Sequence, residues 1–164
     1  MKSLQFFASN IFAILSGNVN TPETPADVER TRALRHTLNF MGLKTYAAIG
    51  SYLGTQEHSI VVMLPSENDL QKVMEVARMF NQKQVFFANR GVFTAPFVDI
   101  HRESYSVRNE VVTGAAALAQ DGYTEFAATE GSIIFSVPDL YENERTTLVS
   151  SVLEHQSQNV YSSL

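Results

Sequence analysis

The clearest period along the chain is helical. Leu70, Val73, Met74 and Ala77 recur at i, i+3, i+4 and i+7, the spacing of one apolar helix face. Ser66 and Asp69 precede them in capping-box spacing. Before this helix lie two apolar runs, Thr45–Tyr52 and Glu57–Leu64, which read as the strands of a hairpin around Leu53-Gly-Thr-Gln56. After it, Gln84–Asn89 reads as a third strand. A right-handed strand–helix–strand crossover would set that strand parallel to Glu57–Leu64. Arg90-Gly91 allows a turn into a fourth strand, Val92–Phe97, with Pro96 placing its end at a sheet edge.

Two helices are expected upstream. Ser3 caps the first, over Leu4–Leu15, with Leu4, Phe7, Ile11, Ile14 and Leu15 near one face. Thr24-Pro25 is an N-cap followed by proline at the first helical position, so the second runs from there to Phe40 and stops at Gly42. Asp27 and Glu29 favour the positive end of its dipole. Its Arg30, Arg32 and Arg35 read as a solvated face, with a phosphate or carboxylate clamp as the sharper alternative.

Beyond Asp99 the pattern weakens. A helix over Arg108–Gln120 carries Gly114, which costs about 1 kcal/mol relative to alanine. Asp121-Gly122 is a turn, Ser132–Val137 a late strand stopped by Pro138-Asp139, and Glu144–His155 a short helix. The order contains the strand–strand–helix–strand core of a ferredoxin-like α+β sandwich, an antiparallel-rich sheet with helices on one face. Residues 1–138 are expected to form the single domain and 139–164 a C-terminal extension.

Composition narrows the function classes. Apolar residues make up 45% of the 164 positions, enough for a sizeable core. A net charge of −5 and a pI near 5.3 argue against nucleic acid as partner, which needs a basic face for phosphates. The absence of cysteine excludes disulfides and thiolate chemistry. The N-terminal apolar run is too short to span a bilayer. Gln5, Ser9 and Asn10 interrupt it and no A-x-A site follows, so an amphipathic helix is expected rather than a signal peptide. The expectation is a cytoplasmic protein that does not use a membrane.

Candidate chemistry gathers at the hairpin tip. With a four-residue turn, Tyr52 pairs with Glu57, Gly50 with Ser59 and Ala48 with Val61. Directly opposed residues share a face, so Tyr52, Glu57, Gly50 and Ser59 make a polar patch, and the bare backbone of Gly50 admits a ligand closely. A cross-strand hydrogen bond at an ordinary hairpin end explains the same residues. Ala47, Ile49, Ile60 and Val62 make the other face apolar too, so one face needs a second layer, a sister subunit or a ligand. Phe86 and Phe87 point to opposite faces: both are core, or one stacks on an aromatic ligand. Asp99, His101 and Glu103 alternate and form either a metal site or a solvated edge. The four histidines show no H-x-x-x-H pattern, and no nucleophile elbow, Walker A or G-x-G-x-x-G sequence occurs.

The block Gly50-Ser-Tyr-Leu-Gly-Thr-Gln-Glu-His-Ser59, followed by the capped helix ending Ala77-Arg-Met-Phe80 and the late Gly131-Ser-Ile-Ile-Phe-Ser136, resembles the phage-encoded S-adenosylmethionine (SAM) lyases, formerly called SAM hydrolases. In that family a G-x-Y begins the hairpin and a glutamate opens the next strand. The resemblance implies a ferredoxin-like homotrimer with SAM held between subunits in the host cytoplasm. It implies cleavage to homoserine lactone and 5′-methylthioadenosine by the substrate's own carboxylate, without metal or cofactor. Glu57 and Tyr52 would be the catalytic residues. Gly50, Ser51 and Ser59 would hold the nucleoside, and Phe86 or Phe87 would neighbour the adenine. A non-catalytic binder or sensor of an adenine-containing ligand, and a metal-dependent hydrolase on Asp99, His101 and Glu103, are the rival classes.

Overall fold

Asn10 divides the apolar N-terminus in two. Its Nδ2 donates to the Phe6 carbonyl at 2.8 Å, closing helix α1 (Lys2–Ser9), and the run behind it extends as strand β1 (Ile11–Leu15). The single helix expected over Leu4–Leu15 is therefore corrected. Four of the five β1 residues are buried, and the strand pairs on both sides, so an all-apolar run satisfies both faces of a sheet better than one face of a helix. The computed structural model describes residues 2–82, 84–99, 106–107 and 112–136. Helix 144–155 and the C-terminal extension lie outside them.

Helix α2 (Pro25–Phe40) starts as its sequence predicts. Thr24 Oγ1 accepts from the Asp27 amide, Asp27 accepts in return from the Thr24 amide, and Pro25 opens the first turn. A hairpin follows, β2 (Thr45–Tyr52) and β3 (Thr55–Met63). A 3₁₀ turn (Glu67–Asp69) capped by Ser66 leads into α3 (Leu70–Met79), which buries Val73, Met74, Val76 and Ala77. The chain continues through β4 (Gln84–Asn89), β5 (Val92–Asp99), β6 (Ser106–Val107), β7 (Val112–Thr113), α4 (Ala115–Leu118), β8 (Gly122–Ala128) and β9 (Gly131–Ser136). The register of β5 on β4 shifts between Val85 and Phe87, and Pro96 falls within the irregular stretch, as a residue with no amide proton should.

These nine strands form one sheet ordered β6-β5-β4-β1-β3-β2-β8-β9-β7, two of them only two residues long. Every pairing is antiparallel. The class is α+β. Strands β3 and β4 run in the same direction, as the crossover through α3 predicts, but β1 lies between them and pairs with both. The late helix is shorter than expected: Val112–Thr113 is extended against β9, and Gly114 (φ 65°) stands at the start of α4.

Two cores lie on opposite faces of the sheet. The aliphatic one joins Ala13, Ile60, Val62 and Val85 to Leu34 and Leu38 of α2 and Val73 and Ala77 of α3. The aromatic one joins Phe12, Val61, Phe86, Phe126 and Phe135 to Phe6 and Phe7 of α1. Phe7 sits edge-on to Phe135 with centroids 4.3 Å apart, and Phe6 edge-on to Phe126 at 5.3 Å. Helices therefore cover both faces, not one. The apolar face that called for a second layer or a sister subunit is filled by α1 and by β8–β9 of the same chain.

Candidate functional site

The hairpin turns over two residues, not four. Leu53 (φ 50°) and Gly54 (φ 82°) both lie in the left-handed region, the signature of a type I′ turn whose twist matches the flanking strands. Tyr52 therefore pairs with Thr55, Gly50 with Glu57 and Ala48 with Ser59. The expected pairs of Tyr52 with Glu57 and Gly50 with Ser59 are each displaced by two positions. A shift of two leaves every side chain on its predicted face, so Tyr52, Gly50, Glu57 and Ser59 still share one. Glu57 moves from the tip to a place opposite Gly50, and Tyr52 becomes its diagonal neighbour, about 7–8 Å away between Cα atoms.

This face is the aromatic one, because Ala48 and Val61 belong to that core. On the far side of Gly50, β8 places Thr124 directly opposite, almost fully buried. A Cβ built on Gly50 meets only the Glu57 carbonyl oxygen, at 3.8 Å. No packing among the described residues demands a glycine there, and the ground over its backbone is open to a ligand. Tyr52, Glu57 and Ser59 are all partly exposed around it.

Three other predicted residues fall elsewhere. Ser51 projects to the opposite face, buried, with its Oγ lacking a hydrogen-bond partner. Phe86 is on the right face but is a buried core ring, 6.4 Å from Phe12 and 6.3 Å from Phe135 between centroids. Phe87 packs against the aliphatic core on the other face. Their side chains do not join the patch. Of the metal candidate, His101 and Glu103 lie outside the described residues, as does the Asp99 side chain. Among the described residues no three His, Asp or Glu side chains stand together as metal ligands.

The electrostatics come from the segment between β1 and α2. Where β1 ends, the next stretch of β3 has no strand on that edge among the described residues, and side chains satisfy it instead. Ser16 Oγ donates to the His58 carbonyl at 2.9 Å. Glu23 Oε1 accepts from the His58 amide at 3.0 Å and from Asn18 Nδ2 at 3.0 Å, while Glu23 Oε2 lies 2.8 Å from His58 Nδ1. Burial pushes the Glu23 carboxyl up, but these bonds outweigh it and hold it below the ordinary range. Asp27 is inaccessible to solvent. Burial acts upward on it too, yet the amides of Val19 and Thr24, the Thr24 hydroxyl and Asn20 Nδ2 all donate to it, and its pKa falls to about 2. Glu57 goes the other way. Burial raises its proton affinity, and the negative charges of Glu23 and Asp27 raise it further. The patch is thus a half-buried carboxyl in a negative field, beside open backbone: a place that favours a cation.

Sequence reasoning missed Thr124 and Glu23. Thr124 sits on a strand not anticipated, since Tyr123-Thr-Glu-Phe126 shows no alternation of polar and apolar residues. Glu23 had no local signal beyond the polar stretch Asn18 to Thr24. The arginines of α2 are neither a clamp nor a simple solvated face. Arg30 donates to the carbonyls of Gly17 (2.9 Å) and Phe80 (2.7 Å), Arg35 to Thr45 Oγ1 (3.0 Å), and Arg32 pairs with Glu29 on the surface. A groove along α2, lined by Glu29, Arg32, Ala33, His36, Thr37 and Phe40, includes none of the patch residues. Among the described residues no helix is long and apolar enough to cross a membrane. No protein-family model matches the chain, and no curated protein matches it in sequence.

Proposed function

We propose that the chain degrades SAM by intramolecular attack of the substrate's carboxylate, releasing 5′-methylthioadenosine and homoserine lactone. The observation that carries this reading is Glu57 facing Gly50: a half-buried carboxyl and a bare strand backbone, side by side on the face that also holds Tyr52 and Ser59. The resemblance of Gly50-Ser-Tyr52 and Glu57-His-Ser59 to the SAM lyase motif supplies the substrate.

The chemistry asks little of the protein. A carboxylate oxygen forms a bond to the γ-carbon as the carbon–sulfur bond breaks, and the electron pair passes to sulfur and cancels its positive charge. No proton moves. Folding the methionine chain into the attack geometry supplies much of the acceleration. Positive charge on sulfur disappears in the transition state, so an anion beside the sulfonium would stabilise the substrate more than the transition state. Glu57 is therefore best placed on the ammonium group, which keeps its charge throughout. Tyr52 orients the sulfonium or carboxylate by its ring face or hydroxyl, and the backbone at Gly50 and Ser59 receives the nucleoside. Ser51, Phe86 and Phe87 take no direct part in this arrangement.

The assembly belongs to the same proposal. The central order β4-β1-β3-β2, with α2 and α3 on one face, supports a ferredoxin-like core of split strand–helix–strand units. A homotrimer in the host cytoplasm rests on the family resemblance, since the aromatic face is already covered. Incubation of purified protein with SAM, followed by chromatography, tests the function. Methylthioadenosine and homoserine lactone are expected, with chelator making no difference. Glu57→Gln should lower turnover by about a hundredfold on a folded protein. Intact ligand recovered in complex would establish a binder instead, and full turnover by Glu57→Gln would remove Glu57 from the site.

A further inference from the structure

We propose that Glu23 acts as the second carboxylate of this site: fixed against the peptide that joins Glu57 to His58, it sets the site's preference for a cationic over a neutral ligand without touching the reacting atoms. The inference rests on the reading of Glu57 given above. Its geometry is independent of that reading. Glu23 Oε1 is 3.0 Å from the amide nitrogen of His58, the atom bonded to the carbonyl carbon of Glu57. Asn18 Nδ2 and His58 Nδ1, at 3.0 and 2.8 Å, hold both carboxylate oxygens, so the charge has a defined place. It occupies the edge of β3 that β1, ending at Leu15, no longer covers.

A carboxylate with three donors would serve as a strand-edge cap whatever it stood beside. What lifts Glu23 above that role is its neighbour. Among the described residues the negative charges whose fields reach Glu57 are Glu23 from the segment before α2, paired with the His58 imidazole, and Asp27 from α2, while Gly50 and Thr124, which share the face of Glu57, carry no charge. Asp27 is locked into the capping box of its own helix, leaving Glu23 as the negative charge held against β3 itself. A ligand with both an ammonium and a sulfonium group gains from the combined field of two carboxylates. Its thioether counterpart carries one positive charge fewer and gains less. Glu23 is in this sense a positioning and selectivity residue, not a catalytic one.

The test compares wild-type protein with Glu23→Gln, which keeps an acceptor for the His58 amide, and with Glu23→Asp, which keeps the charge but draws it back by one methylene. The affinity for SAM is taken from the concentration dependence of its turnover, that for the neutral thioether S-adenosylhomocysteine from its inhibition of that turnover and from calorimetry, and the titration of the Glu57 carboxyl is followed by carbon NMR in the free protein. In Glu23→Gln the ratio of SAM to thioether affinity should fall by about five- to tenfold, with thioether binding itself unchanged, and the Glu57 carboxyl should titrate at lower pH. Glu23→Asp should fall about twofold, and it provides the comparison should Glu23→Gln not fold. An unchanged ratio together with an unmoved Glu57 titration overturns the role of Glu23. If wild-type protein binds neither ligand, the proposed function fails, and the Glu57 titration alone decides Glu23: a downward move upholds its action on Glu57, no move overturns it.

Discussion

The first turn of α2, with the segment that leads into it, and the hairpin of β2 and β3 meet at the end of β1, and each brings an acidic residue there. Asp27 has no contact with solvent and receives hydrogen bonds from two backbone amides and two side chains. Glu57 is half-buried, and what it feels most is burial and two neighbouring negative charges. One carboxyl is held down to about 2, the other pushed up from its ordinary value. The difference separates an acid that builds structure from an acid kept for something else. A buried charge with a complete set of donors stabilises a fold. One placed in a repulsive field raises the energy of the empty protein, and a proton or a bound cation relieves it.

The largest effect should come from breaking the satisfied side. Asp27→Ala leaves the half-buried amides of Val19 and Thr24 without their acceptor and removes the capping box, and it should cost about 3 kcal/mol in a urea titration. The pH dependence has a defined sign. Asp27 titrates lower folded (about 2) than at its ordinary value of 3.8, so the unfolded chain binds more protons between those values. Its contribution, about 2 kcal/mol, is present above pH 4 and is lost as pH falls toward 2. An Asp27→Asn protein should show a flatter stability profile across that window.

The two glycines of these regions sharpen the contrast. A Cβ on Gly17 would stand 2.6 Å from the Arg30 carbonyl carbon and from the Thr31 nitrogen, both backbone atoms of α2. Gly17→Ala should therefore cost about 2–3 kcal/mol, since neither the helix nor the segment can move away without losing bonds. Gly50 has room for the same methyl group. Gly50→Ala should leave urea stability within about 0.5 kcal/mol and yet reduce SAM turnover, because the space filled is the ligand's. A destabilised Gly50→Ala with normal turnover would reverse the assignment of the two regions.

The parts of this picture legible in the sequence are those set by local chemistry. Thr24-Pro25 and Asp27 fixed the start of α2 because a cap is a contact among residues three apart. The apolar period fixed α3, and Gln84–Asn89 was bounded by polar neighbours. Strand β1 was not legible, since Ile11-Phe-Ala-Ile-Leu15 fits either period and only pairing with β3 and β4 decides between them. Strand β8 was missed because Gly122-Tyr-Thr-Glu-Phe-Ala-Ala128 shows no clean alternation, and its pairing with β2 spans about 75 residues of sequence. The patch came through a wrong turn length because an error of two residues preserves facing, whereas an error of one would have sent Glu57 to the other side. Glu23 could not be seen at all. Its partner His58 is 35 residues away, and nothing local marks a carboxylate that caps a strand edge.

The turn itself offers a smaller effect of opposite sign. Leu53 holds φ at 50° while 59% exposed, so it carries backbone strain and little packing. Leu53→Asn, a residue suited to the first position of a type I′ turn, should stabilise the protein by about 0.5–1 kcal/mol and leave turnover unchanged, since the strand register is already that of a two-residue turn.

The smallest shift in stability should come from Glu57, and its direction is the sharpest part of the contrast with Asp27. A carboxyl raised in the folded state binds more protons there than in the unfolded chain. Its ionisation therefore lowers stability as pH rises through the ordinary carboxylate range and on to the raised value, and the full cost is present above it. Glu57→Gln removes that cost. The variant should melt slightly higher than wild type at neutral pH, match it near pH 4, and at the same time lose turnover. A residue that makes the protein less stable and more active is placed for its ligand. Should Glu57→Gln instead melt lower at neutral pH, the carboxylate would be contributing to the fold in the way Asp27 does, and the hairpin end would be structure and no site.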